Sequence, residues 1–397
     1  MATQPRMVTM TPTAESRRRL SSDAGEYLRH LDYLLVAAVA ALVAYGLWVM
    51  QNVTAGDVRG DPGYFVHKQA IFVVLGFVAF VLTTFVDPER YRRLRHLLLG
   101  VALALMLAVF VFGQDVRGSR RWINLGFFQL QPSELGKIVL VIAVAGFLAS
   151  RGKRITSFSS VAGALGIAAV PILLVFFEPD FGTALIYSAG VVGALYFAGA
   201  RWQHLAALAL VGAGLATAVL WALPAQGLEV LKPYQVDRLV GFIHPDSDPA
   251  GTTYNVNQAI TAVGSGGLDG RGIAGATQTS QNFLPEHHTD FIFASLAEQR
   301  GFLGAAILLL LYAIVVWRGI KIIAIAESHF QATLAGAIVT MLLFQVFLNV
   351  GMNTGIAPIT GITLPFISYG GSSMIISLAV IGILEAIHAR GRLNPRR

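Results

Sequence analysis

The chain has 397 residues, of which 55% are hydrophobic and only 13% charged, with a formal net charge of +7 and no cysteine. Soluble domains carry roughly 25% charged residues, so a soluble globular fold is excluded, as are disulfides, thiol catalysis and cysteine metal sites. The positive surplus is spread over separate short segments, which argues for membrane topology and against a nucleic-acid partner.

Residues 1–30 are polar, with Arg17, Arg18 and Arg19 in a row, and the first 25 are expected to be disordered. The apolar run that follows is longer than a signal-peptide core and reads as a retained first span. Nearly uncharged runs then recur, each long enough to cross a hydrocarbon core as a helix. Lipid offers no partner to backbone N–H and C=O groups, so such runs must be helices packed into a bundle. The expected spans are 31–50, 68–86, 97–113, 132–150, 159–177, 182–199, 204–224, 302–323, 330–356 and 370–389. This is an all-α polytopic membrane protein, with a tail over 1–30, one membrane domain over 31–389 and a second tail over 390–397.

Ten spans leave both termini on one side, and Lys and Arg choose it. Of the 29, the N-terminal tail and the segments on its side hold 19, the opposite segments 9, and Lys137 lies within a span. The basic side is cytoplasmic. The segment 225–301, between spans seven and eight, is therefore extracytoplasmic. A connection of this length is functional or disordered, and stretches such as "VNQAITAVG" predict short helices on or in the outer leaflet.

Ionisable groups at membrane depth are costly and mark candidate sites. In "GSRRWINLGFFQLQ" (118–131), Arg120 and Arg121 adjoin Trp122 on the outer side. One reading is a headgroup-facing loop; the other is guanidinium clamping of phosphate while Trp122 stacks on a sugar. In "QPSELGK" (131–137), Glu134 and Lys137 share a helix face at i,i+3, either as a structural ion pair or as a charged cavity lining. In "FFEPDFGTA" (176–184), Asp180 either caps the next helix or contacts a cation or sugar. "GRGIAG" (270–275) satisfies a dinucleotide-binding spacing, but no βαβ unit surrounds it. Its glycines are better explained by tight turns or close backbone approach.

The densest cluster is "LPEHHTDFIFASLAEQRG" (284–301). Asp290 directly precedes Phe291, Ile292 and Phe293, at the apolar edge of a bundle, where a partly desolvated carboxylate suits general-base work. Glu286, His288 and Asp290 form an alternative set of divalent-metal ligands, although their spacing matches no strong zinc signature. Thr289 or Asp290 as a helix cap is the structural alternative.

Four stretches, "GSRRWINLGFFQLQPSELGK", "EPDFGTA", "YQVDRLVGFIHPDSDPAGTTYNVNQAITAVGSGGLDGRG…NFLPEHHTDFIFASLAEQRGFLGA" and "NVGMNTGIAPITGITLPFISYGGSS", resemble in order and spacing the SEDS family (shape, elongation, division and sporulation proteins), typified by RodA and FtsW. The resemblance covers residues 30 to 390. "GIAPITGITLPF" (355–366) is closer to the RodA branch, since FtsW proteins tend to carry lysine in place of Thr360. The resemblance implies a ten-helix bundle in the bacterial cytoplasmic membrane. It also implies a peptidoglycan glycosyltransferase that polymerises lipid II outside that membrane with a class B penicillin-binding protein. It puts the family's essential aspartate on Asp290, its outer-loop tryptophan on Trp122 and its span-four acid and base on Glu134 and Lys137. This chain departs from the family in reading Glu178-Pro179-Asp180 where Gln-Pro-Asp is common, and Glu298-Gln299-Arg300 where Glu-Glu-Leu is common.

Such a reaction needs a base for a weakly nucleophilic hydroxyl, assigned to Asp290, and donors for the departing undecaprenyl diphosphate. Lys137, Arg121, Arg238 and Arg271 are candidates, as is a divalent cation (Mg²⁺ or Mn²⁺); no organic cofactor is expected. By analogy the anomeric centre inverts in one displacement. Glu286, His288 and Asp180 complete the expected substrate-binding set. The rival readings are a lipid II flippase, against which the absence of a convincing internal repeat argues, a non-catalytic scaffold that recruits a transpeptidase, and an FtsW-like polymerase in division.

Overall fold

The computed structural model describes residues 25–116, 119–126, 128–222, 224, 254–281 and 283–393. The expected disorder of the first residues, the C-terminal end beyond 393 and the position of Arg238 lie outside these. Short side chains with an acceptor oxygen start several helices by taking up first-turn N–H groups. Asp32 accepts from Leu35 N (3.1 Å) at the head of α1, Tyr33–Val53. After α2, Tyr64–Phe85, Asp87 accepts from Glu89 N (3.0 Å) and opens α3, Pro88–Phe112. That helix starts nine residues before the expected span, because the basic turn "PERYRR" is itself helical.

A small antiparallel sheet follows, which the all-α expectation did not include. Its strands β1 (Gln114–Val116), β2 (Ser119–Asn124) and β3 (Gln129–Leu130) pair in the order β1-β2-β3. α4, Pro132–Arg151, carries proline in its first turn, where no N–H is needed. A 3₁₀ turn over Gly152–Thr156 leads to α5, Phe158–Phe177. Asp180 caps α6, Phe181–Ala198, accepting from Thr183 N at 3.1 Å, as its position predicts. α7, Trp202–Thr217, continues into a π-helical turn over Ala218–Ala222; together they occupy the seventh expected span.

The described part of the long loop contains α8, Tyr254–Ser265, and two single turns, α9 (Gly272–Gly275) and α10 (Thr277–Ser280). α11, Ile292–Ile325, begins ten residues before its expected span and is kinked at Gly301, whose φ is +63°. A side chain at Gly301 would meet the backbone of Leu268 and Gly270 at 2.4 Å, so glycine is required where the loop crosses α11. α12, His329–Asn353, and α13, Gly371–Leu393, complete the chain.

Among the described residues, nine helices are long and apolar enough to cross a membrane, and α7 is a shorter apolar helix. α13 and α4 are central, with 89% and 78% of their apolar windows buried, whereas α2 and α3 bury 17% and turn Ile71, Leu82, Leu97 and Val111 outward. That distribution suits a bundle with a lipid-facing rim.

Residues 354–370, between α12 and α13, are irregular yet fold back into the bundle, with Thr360, Ile362, Leu364, Phe366, Ile367 and Ser368 all buried. Non-helical backbone is tolerated at such depth only if its polar groups find partners. Here they do. Gln345 Nε2 donates to Thr363 O (2.9 Å), Asn349 Nδ2 to Ile362 O (2.7 Å), and Gln69 Nε2 to Ser368 O (3.0 Å). Leu364 N donates to Ser368 Oγ (2.7 Å), and the Tyr312 hydroxyl to Pro365 O.

Candidate active site

The segment 284–291 is fastened to this re-entrant stretch. Ser368 Oγ donates to Thr289 O (2.6 Å), and Tyr369 N donates to His288 O (2.9 Å). Asp290 is held by its carbonyl, which accepts from Asn349 Nδ2 (3.0 Å) and Asn353 Nδ2 (3.2 Å) of α12. Asn353 Oδ1 in turn accepts from Ala294 N (3.0 Å). The side chain that caps the first turn of α11 therefore comes from another helix, and neither Thr289 nor Asp290 is the N-cap, which is Phe291. Both asparagines are fully buried. A net contribution of about 1 kcal/mol per neutral hydrogen bond makes this a stiff mount, and stiffness is what a general base requires.

Beside it lies a cavity of about 350 Å³ lined by Lys68, Trp122, Gln131, Thr289, Tyr369 and Ser373 among others. Its size suits a sugar-sized ligand. Among the described lining residues Lys68, half-buried at the start of α2, is the one cation, and it donates to the Tyr64 hydroxyl (2.5 Å). Burial pushes the Tyr369 hydroxyl above its ordinary pKa of 10.0, so Tyr369 offers a neutral O–H. Among the described residues Trp122 is the one expected substrate contact that lines this cavity, and it shares the wall with Asn124 and Gln129 of the unexpected sheet.

The other expected residues are placed differently. Arg121 is buried; its Nε donates to Glu178 O (3.2 Å), a terminal nitrogen donates to Pro179 O, and another lies 3.7 Å from Asp180. Its guanidinium fastens the hairpin to the α5–α6 turn. Gln131 Nε2 also reaches Asp180 (3.3 Å). Glu134 and Lys137 form a buried pair at 2.8 Å, with Lys137 Nζ also 3.3 Å from Gln345 Oε1. Lys137 borders a separate void of about 30 Å³. Glu286 adopts a positive φ, and its carboxylate accepts from Thr289 Oγ1 (2.8 Å). Arg271 is exposed and donates to Ser265 O (3.0 Å), away from the cavity lining.

Glu286, His288 and Asp290 are not the metal-like grouping that the fold assembles. Among the described residues, Asp57, His287 and His288 converge instead. Sequence reading missed Lys68, Gln69 and Asp57. Lys68 is a single charge at the margin of a span, Gln69 a single amide inside one, and Asp57 a loop carboxylate 230 residues before its histidine partner.

The sequence profile of the FtsW/RodA/SpoVE family, described as cell cycle protein, matches residues 32–393. The chain is 36% identical to stage V sporulation protein E of Bacillus subtilis over 359 residues, covering 89% of this chain and 95% of that one. It is 34% identical to the peptidoglycan glycosyltransferase MrdB of Escherichia coli over 364 residues, covering 92% and 95%. Among solved structures it resembles a chain from a study of the structural coordination of polymerization and crosslinking by a peptidoglycan synthase complex. That likeness has a TM-score of 0.78 and 30% identity over 92% of this chain and 99% of the other. It also resembles the rod shape determining protein RodA of Thermus thermophilus, with a TM-score of 0.65 and 28% identity over 92% and 98%.

Proposed function

This chain belongs to the FtsW/RodA/SpoVE family and is a multi-pass membrane peptidoglycan glycosyltransferase; from that premise we propose that it polymerises lipid II into glycan strands at the outer face of the bacterial cytoplasmic membrane during elongation, with Asp290 as the general base. One observation carries the assignment: two buried asparagines fix the backbone of Asp290 directly beside Thr289, which lines the cavity.

The acceptor hydroxyl attacks the anomeric carbon as Asp290 takes its proton, and the glycosyl diphosphate bond breaks with inversion at that carbon. Negative charge develops on the departing undecaprenyl diphosphate. Lys68, the cavity's own cation, supplies one positive charge where the sequence alone favoured Lys137 and Arg121, both engaged within the protein. Trp122 offers a stacking face for a sugar, and Gln131, Ser373 and the neutral Tyr369 hydroxyl offer hydrogen bonds. A bound Mg²⁺ or Mn²⁺ would neutralise the diphosphate further; such ions take one or two carboxylates plus substrate phosphates, and with Asp290 engaged as the base the substrate's phosphates would be its main ligands, with Glu286 the nearby carboxylate.

The Lys and Arg distribution supports a cytoplasmic side at the start of α1 and the end of α13, and it puts the segments of Trp122, Thr289 and Tyr369 that line the cavity on the opposite side, where lipid-linked sugars would await polymerisation. The working partner is a class B penicillin-binding protein, in keeping with the synthase complex to which the chain is similar.

The test is strand synthesis from purified lipid II in detergent with the cognate transpeptidase. Wild type should yield long strands and Asp290→Asn none, while the variant stays folded and keeps its partner. An Asp290→Asn protein that still polymerises, or one that no longer folds, overturns the assignment.

A further inference from the structure

The group of Asp57, His287 and His288 is not needed for the chemistry above, and its geometry calls for a cation. His287 is buried between two acceptors: Nδ1 stands 3.1 Å from Leu284 O, and Nε2 stands 2.9 Å from Asp57 Oδ2. A carbonyl only accepts, so Nδ1 carries the proton. A neutral imidazole has no second proton, which leaves a lone pair on Nε2 facing a carboxylate across 2.9 Å. Something positive must lie between them, either a further proton or a metal ion. His288 Nδ1 decides in favour of the metal. It approaches the same carboxylate oxygen to 3.8 Å, and the three ligand atoms all lie within 4.8 Å of one another. A proton joins two atoms; three converging donors are the arrangement of a metal site.

The distances agree. In a tetrahedral zinc site with bonds of about 2.0–2.1 Å, neighbouring ligand atoms stand about 3.3 Å apart, and the separations of 2.9 and 3.8 Å bracket that value. The backbone carbonyl behind His287 Nδ1 is the outer-shell partner that fixes a metal-binding histidine in the required tautomer. The side chains are mostly shielded, with 13% of Asp57, 7% of His287 and 18% of His288 exposed. His288 is packed against the rings of Phe65 (4.5 Å) and Tyr369 (5.8 Å), and Tyr369 N holds its carbonyl.

We propose that Asp57, His287 and His288 form a binding site for one divalent transition-metal ion, zinc by ligand preference, with water in the fourth position. Two imidazoles and one carboxylate select zinc over magnesium, so this site is distinct from an oxygen-ligated ion on the diphosphate. The ion joins the loop between α1 and α2 to the segment that carries Asp290. It acts as a positioning staple two residues from the base.

The test uses the full chain purified without a polyhistidine tag, stripped with chelator, and dialysed against zinc with magnesium in large excess. Metal per chain is counted by mass spectrometry, and X-ray absorption is recorded on the wild type. One zinc per chain should be retained, with two imidazole nitrogens and one carboxylate oxygen at about 2.0–2.1 Å. Asp57→Asn and His287→Ala should each weaken zinc binding by more than the roughly 10- to 100-fold that an outer-shell loss costs. Asp290→Asn should leave it intact. Binding below one ion per chain, an absorption spectrum without imidazole scattering, or unchanged zinc in folded Asp57→Asn and His287→Ala would overturn the site. The absorption measurement stands on wild type alone, so a variant that fails to fold does not shelter the proposal.

Discussion

Glu178 offers a measurement of buried charge. Its side chain is 1% exposed, and among the described residues neither carboxylate oxygen has a hydrogen-bond partner. Burial first, and then the neighbouring Asp180 carboxylate, push its pKa from 4.5 to about 8 against the pull of Arg121. At neutral pH it is therefore held as the uncharged acid, which has the shape of glutamine, the residue common at this place in the family. The native state keeps the proton up to about pH 8, and the unfolded chain releases it near 4.5. Across that window the native state binds more protons, so Glu178's contribution to stability is fully present below 4.5 and is lost as pH rises through about 8. At about 1.4 kcal/mol per pH unit the displacement amounts to about 4–5 kcal/mol. Glu178→Gln keeps the shape and abolishes the titration. Thermal denaturation of both proteins in detergent from pH 5 to pH 9 should show the variant gaining on wild type as pH rises and levelling off above 8. The difference isolates Glu178 from the histidines, which both proteins share. Parallel curves would refute the reasoning, since Glu178 would then ionise in the folded protein without penalty.

Three further variants separate structure from chemistry. Glu134→Ala strands Lys137 in the core, with Gln345 its remaining polar contact among the described residues, and should cost about 3–5 kcal/mol, whereas Glu134→Leu with Lys137→Met should restore both melting temperature and strand synthesis. A double variant as inactive as the single one would show that the pair acts in the reaction. Lys68→Met keeps the stem and removes the charge; losing one charge-assisted contact to diphosphate should slow strand synthesis about tenfold to a hundredfold, and an unchanged rate would remove Lys68 from the site.

What could be read in the sequence was what depends on neighbours along the chain. The apolar runs gave the helices, and Asp180 announced itself as a cap because capping acts over three residues. Asp290 stands out as a candidate because its cluster of titratable groups is dense along the chain. The start of α3 is missed because its first turn is basic, although Asp87 caps it locally; that of α11 is missed because its first turns become helical through burial against the rest of the bundle. The β-strands that bring Trp122 to the cavity were missed because each is short. Lys68, Gln69 and Asp57 acquire meaning only through partners far away: Gln69 through Ser368, Asp57 through His287. Arg121 looked like a phosphate clamp, but the sequence could not show that the Glu178–Asp180 turn already occupies its guanidinium.

The re-entrant stretch 354–370 also constrains how the protein is made. Its Ser368 carbonyl is met by Gln69, 299 residues upstream, and α13, made long after α2, packs along the flank of α2, where Gly76 would clash with Leu378 if it carried a side chain. During synthesis that flank of α2, with its amide, must wait in lipid or be shielded by another protein until α13 inserts. A chain cut after α12 would lack Tyr369, Ser372 and Ser373, and with them one wall of the cavity. A chain stalled before α13 thus lacks one wall of its candidate active site.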